Sequence, residues 1–308
     1  MAQWLDATRR SRFAALAGRL SRPLGSLLSL ALLIVVVRQA RTADWSLLFD
    51  PRLSAGFWIA LALYYLLSPL SELLVYSSLW GFDRRAFPAL LRKFVSNELL
   101  FDYLGDVQFL AWAQARSGPT AFGAVKDVTI LSALSGNLVT LVQIAIAWPL
   151  VSQGLAGVPL ETIFLSLSVI VVISSLILLL GKRIFSHRPS TLLWIGTVLA
   201  LRSVIAMALA AVMWALIMPE VSLASLFVLA TLRMMVSRLP LIPSKDLLFA
   251  GLAVVVFGKS ADVSAATSMI ASLVLGLHLV AGSLLAIAHF VTRSSEPQRP
   301  ATTQKQEQ

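Results

Sequence analysis

Three carboxylates introduce the chemistry this chain could perform. Glu98, Asp102 and Asp106 recur every four residues within 94–113, a stretch long enough to be a membrane helix. In a helix, residues spaced i, i+4 and i+8 line one side. Like charges at that spacing repel mildly even in water, and in hydrocarbon they must be paired, hydrated or partly protonated. The spacing has two readings. It describes the wall of a polar cavity, fit to hold a cation or pass protons, or the wet face of an amphipathic helix resting at the cytoplasmic surface.

The cationic candidates come later in the chain. Arg202 falls near the centre of the apolar run 191–218, where a charge usually faces the bundle interior and has a partner. It suits a phosphate or carboxylate head group, or an ion pair with Glu72 or one of the acids above. Arg233, Arg238, Lys245 and Asp246 surround a proline-containing interruption, and Lys126 and Asp127 flank the earlier charged segment. Singly, such residues read as snorkelling helix-end charges. Asn137, Thr140 and Gln143 give 128–150 a polar face, with Ser132 and Gly136 as a small-xxx-small contact; Ser272 and Gly276 repeat that spacing near the end. Helix packing accounts for these. His278 and His289 lack neighbours at metal-ligand spacing, so no metal is assigned.

The elements that must position these groups follow from composition. Apolar residues make up 58% of the 308 and charged residues 13%, whereas soluble domains carry charge on roughly a quarter of theirs. Such a surface is unsuited to water. Apolar runs near the 20 or so residues that a bilayer core requires recur at about 24–40, 54–80, 128–150, 160–180, 191–218 and 263–291, with a helix at about 221–236 and a short run at 247–257. The expected fold is therefore an all-α polytopic transmembrane bundle of about eight spans. It comprises a basic amphipathic cytoplasmic segment over 1–22, a membrane domain over 23–291 and a disordered polar tail over 292–308.

Charge distribution orients the bundle. The formal charge is +10, and the basic residues sit at the N-terminus and in short loops, the positive-inside pattern and not a nucleic-acid surface. Arg38 directly follows the first apolar run, with no small-x-small cleavage site, so that run reads as a retained helix with a cytoplasmic N-terminus. Arg84, Arg85, Arg92 and Lys93 mark one cytoplasmic loop, and Lys182, Arg183 and Arg188 another. A full crossing by 94–113 would put the second loop outside, and would bury acids at about 2.5–3.5 kcal/mol each. Entry and exit on the same side keep every basic loop inside. The segment thus reads as a re-entrant or broken helix, sheltered by protein or a water-filled cavity. The interruption at 233–246 is its counterpart in the second half, since the 247–257 run reaches only about 18 Å as a helix. Paired interruptions of this kind point to an internal inverted repeat with a central site.

Enzyme signatures are missing: there is no Gly-rich phosphate loop, His-Glu-x-x-His, Gly-x-Ser-x-Gly or metal-binding Asp cluster. The sequence has no cysteine, which excludes disulfides and thiolate chemistry. No cofactor is expected.

The stretch Asn97-Glu-Leu-Leu-Phe-Asp-Tyr-Leu-Gly-Asp106, followed by Gln108, resembles the first re-entrant region of the lysylphosphatidylglycerol synthase transmembrane, or flippase-like, family. Leu239-Pro-Leu-Ile-Pro-Ser-Lys-Asp246 resembles the second. Asp106 and Asp246 stand where the family has glutamates, Val107 to Phe109 offers no arginine, and Ser244-Lys245 replaces a glycine-rich turn. The resemblance implies an inner-membrane bundle with two re-entrant regions that moves or accommodates phospholipids or polyprenyl-linked lipids. The family's soluble aminoacyl-transfer domain is not seen, so lipid aminoacylation by this chain alone is not expected.

The leading expectation is a bacterial-type inner-membrane protein that translocates an anionic or polyprenyl-linked lipid, or binds it for an enzyme partner, in cell-envelope biosynthesis. Arg202, Arg238 and Lys245 would receive the head-group phosphate, Glu98, Asp102 and Asp106 would balance those cations and relay protons, and Arg233, Asp246 and Asn137 complete the expected binding set. Two alternatives stand: a membrane transferase using a lipid-linked donor, with Asp44 or Asp50 as its acid, and a non-transporting scaffold subunit of an envelope-biosynthesis complex; the expected protein partner is an envelope-biosynthesis enzyme or a second copy of the chain.

Overall fold

The computed structural model describes residues 53–82, 84–100, 103–154, 160–238 and 261–294, together with Phe49, Phe249 and Ala253. Among these residues there is no strand, and eight α-helices follow in order: α1 Ala55–Trp80, α2 Phe87–Leu99, α3 Leu104–Ser117, α4 Ala121–Gly154, α5 Leu160–Ile184, α6 Pro189–Ile217, α7 Leu223–Ser237 and α8 Ala261–Ser294. Four stretches within them are long and apolar enough to cross a membrane: Ala55–Trp80, Ala121–Pro149, Pro189–Ile217 and Ala266–Ala288. The shortest has 23 residues, about 34 Å of helix against a hydrocarbon core of about 30 Å. Leu179, Leu193 and Leu284 point outward from α5, α6 and α8, as a lipid-facing surface requires. The apolar run at 24–40, most of that at 247–257, the basic segment 1–22 and most of the polar tail lie outside the described residues. α8 itself continues to Ser294, slightly beyond the expected boundary at 291.

Local signals set the helix ends. Ser54 caps α1 by accepting the Phe57 amide at 3.3 Å, and Gly81 ends it in the left-handed conformation, φ 66°, with its N–H on the Ser77 carbonyl. Pro189 begins α6, where its missing N–H is not needed. Ser222 caps α7.

The 94–113 segment is two helices, not one. α2 has 13 residues and α3 has 14, about 20 Å each, and they meet at a turn where Tyr103 takes φ 70°. Asn97 clasps the hairpin: its side chain accepts the Gly105 amide at 2.6 Å and donates to Asp106 at 2.9 Å. Gly105 lies so close to α2 that a Cβ there would overlap the Lys93 carbonyl. The expectation that Glu98, Asp102 and Asp106 follow one helix side is corrected here, because the break after Leu99 removes the helical register between Glu98 and Asp106.

α1 and α6 run antiparallel. At one end Phe57 and Leu61 join Met213, Trp214, Leu226 and Met269 in an apolar core. At the other, Val75 and Tyr76 pack with Leu90, Phe109, Ala121, Ile195 and Leu199. That second end gathers several chain turns. Phe82, after α1, meets Trp112 near the end of α3. Lys126 reaches the Ile184 carbonyl and the Ser186 hydroxyl, and the Asp127 carboxylate accepts the backbone amides of Ser186 and His187. The α2–α3 hairpin therefore starts and finishes at the same end of the bundle, beside Phe82 and the turns at 84–86, 118–120 and 185–188.

Candidate functional site

A cavity of about 460 Å³ lies at the centre, and all eight helices contribute to its wall. The charged groups lining it are Glu72 from α1, Lys93 and Glu98 from α2, Asp106 from α3, Arg202 from α6, Arg233 from α7 and Arg238 at the end of α7. The sequence expectation singled out five of these seven as binding residues.

Four of the charges form a network. Lys93, 5% exposed, places its ammonium 2.8 Å from Glu72 and 3.1 Å from Asp106. Asp106 also accepts hydrogen bonds from Thr129 at 2.8 Å and from Asn97. That carboxylate thus has an ammonium and two neutral donors around it. Rings of Tyr76 and Phe109 lie within 6 Å of the ammonium, 5.9 and 5.8 Å to their centroids, adding cation–π attraction. Arg202 faces Glu72 at 3.7 Å and donates to Ser132 at 2.7 Å on α4. Two acids and two bases thus join α1, α2, α3, α4 and α6 with no net charge.

Lys93 and Glu72 are the residues that sequence reasoning undervalued. Lys93 read as one more cytoplasmic loop charge, but it turns into the bundle because a Glu in the middle of an apolar span requires a cation. Glu72 reads from the sequence only as a partner for Arg202, and that pairing is present. Gly105 and Thr129 carried no signal that could be recognised before the hairpin and its neighbour were seen together.

Arg238 has different surroundings. Its guanidinium lies against Gly136, where a Cβ would overlap it. The Nε is buried without a hydrogen-bond partner, and among the described residues Arg238 makes no ion pair. Arg202 is close enough to repel it. Gly136, read as a helix-packing residue, instead makes room for a cation. Arg233 hydrogen-bonds the Tyr64 hydroxyl and stands 5.0 Å from the centre of its ring.

The remaining candidates divide. Glu98 borders the cavity, close enough for its charge to act on Tyr65. Asn137 also borders it, but its amide donates to Ser174 on α5 at 3.1 Å, which is the packing role. His278 meets the Tyr65 hydroxyl at 3.2 Å and packs on Phe94, so it too is accommodated as a buried polar residue. Asp102, Lys245 and Asp246 lie outside the described residues, as do Asp44 and Asp50 of the transferase alternative. No group of three potential metal ligands occurs among the described residues.

These features define a class: an all-helical protein with helices of membrane-spanning length and apolarity, built around a charged internal cavity. No family model, curated protein or solved structure matches the chain.

Proposed function

We propose that this chain is an integral protein of a cytoplasmic-type membrane that takes the head group of an anionic lipid into the central cavity, either to move it between leaflets or to hold it for an enzyme of envelope biosynthesis. One observation carries the reading: the Arg238 guanidinium is sequestered beside Gly136, within range of Arg202, without an acidic partner among the described residues. A half-buried cation with no counterion among the described residues is costly to leave unpaired, and in this reading an anion from outside the chain pairs with it. Outward-facing leucines support a bilayer setting for that cavity, and in a bilayer the available anions are lipid head groups.

In this reading α2 and α3 form a re-entrant hairpin. Neither helix is long enough to cross alone, and the hairpin begins and ends beside the basic turns, which the positive-inside pattern places in the cytoplasm. α7, with 15 residues, comes from the opposite end and stops at the cavity. Two half-length elements entering from opposite sides support the internal-repeat reading.

Proteoliposomes carrying head-group-labelled anionic lipids test the proposal. Leaflet exchange, or selective retention of an anionic lipid in native mass spectra, should exceed that of controls and fall with Arg238→Gln. Exchange equal to empty vesicles together with no retained anionic lipid would refute it. The Arg202–Glu72 ion pair favours a second reading, a scaffold subunit, in which Arg202→Gln disturbs folding or assembly and no lipid is retained selectively.

A further inference from the structure

We infer that the cavity selects a head group bearing one negative charge, such as a phosphodiester or a carboxylate, over phosphomonoesters and diphosphates bearing two or more. This rests on the anionic-lipid reading and narrows it.

Charge balance carries the inference. The Glu72–Lys93–Asp106–Arg202 network sums to zero. The other charged residues of the wall are Glu98, Arg233 and Arg238, one negative and two positive, so the described wall carries +1. Burying uncompensated charge away from water is unfavourable. A monoanion brings this described wall to neutrality, whereas a diphosphate overshoots it.

The hydrogen-bond geometry gives the same answer. The Lys93 ammonium is already shared between two carboxylates, and Arg202 already donates to Ser132 and faces Glu72. Arg233 is engaged with Tyr64. Arg238 retains unused donor capacity, and one planar guanidinium makes one bidentate contact with one phosphate or carboxylate. A second phosphate would require a second uncommitted cation. A volume of about 460 Å³ falls in the range of sites for compact polar ligands.

The full-length protein in phosphatidylcholine nanodiscs, doped with equal amounts of phosphatidylglycerol, phosphatidic acid and a polyprenyl diphosphate, provides the test, with retained lipid read by native mass spectrometry. Phosphatidylglycerol should be retained about tenfold or more over the diphosphate. Arg238→Gln should abolish its advantage over phosphatidylcholine, while Arg238→Lys keeps part of it. Glu98→Gln removes one negative charge, taking the described wall from +1 to +2, and should move the ranking toward phosphatidic acid. Helical circular dichroism and gel filtration establish that each variant is folded.

If the diphosphate or phosphatidic acid outcompetes phosphatidylglycerol in the parent protein, charge selection is overturned and the anionic-lipid reading stands. If no anionic lipid exceeds phosphatidylcholine, both fall. Displacement of bound phosphatidylglycerol by soluble glycerophosphoglycerol would make the free phosphodiester the ligand, overturning the lipid reading alone.

Discussion

The α-carbon of Gly105 rests against the backbone carbonyl of Lys93, leaving no room for a side chain. That contact brings α3 close enough to α2 for Asn97 to grip both the Gly105 amide and the Asp106 carboxylate. Gly105→Ala should separate the two helices. Overpacking of this kind costs about 1–3 kcal/mol, and the variant should unfold at a lower SDS fraction than the parent.

Lys93→Met should have a larger effect. It leaves Glu72 and Asp106 buried without their shared ammonium, and removing one partner of a buried ion pair costs about 3–5 kcal/mol. Adding Asp106→Asn to Lys93→Met removes one of the stranded charges and should restore part of the loss. A double mutant no more stable than Lys93→Met alone would mean that the ion pair contributes little.

Gly136→Ala separates binding from stability. Alanine is preferred over glycine within a helix by about 1 kcal/mol, but its methyl would occupy the space of the Arg238 guanidinium. The expected outcome is a thermal midpoint close to that of the parent with loss of retained anionic lipid. Unchanged lipid retention would show that the guanidinium reaches its ligand from elsewhere.

Gln143 offers a stabilising change. Both polar atoms of its amide are buried without hydrogen-bond partners, a penalty of about 1–3 kcal/mol for a buried polar group. Gln143→Met, similar in volume, should raise the unfolding midpoint; a lower one would reveal a partner for the amide in the bilayer.

At the basic end, Asp127 is fully buried and accepts the amides of Ser186 and His187 at 2.9 and 3.0 Å. Asp127→Ala leaves both without that acceptor. Hydrogen exchange should accelerate across 185–188 in the variant, and chymotrypsin should cut after Phe185 more readily, while α1 and α6 stay protected.

Much of this arrangement could be read from the residues. Hydrophobic runs located α1, α4, α5, α6, α7 and α8, because an apolar helix advertises itself by length and composition alone. Loop charge argued against a simple crossing by 94–113, and in the structure this stretch is divided between α2, ending at Leu99, and α3, beginning at Leu104. Position within the hairpin was not legible: Glu98, Asp102 and Asp106 keep helical spacing in the sequence whether or not the helix is continuous. Lys93 was assigned to a loop since its neighbours Arg84, Arg85 and Arg92 are basic, and a one-dimensional count cannot tell which cation turns inward to meet Glu72. The small residue at 136 was ambiguous for a similar reason. A glycine records that something approaches closely, but not whether it is a backbone or a guanidinium.

The neutral quartet also constrains how this chain can change over generations. Glu72, Lys93, Asp106 and Arg202 lie on four different helices yet share one electrostatic constraint. Replacement of a single member leaves an orphan charge, so tolerated change should come as acid–base pairs. In a collection of descendants, these four positions should covary although they are far apart in the sequence.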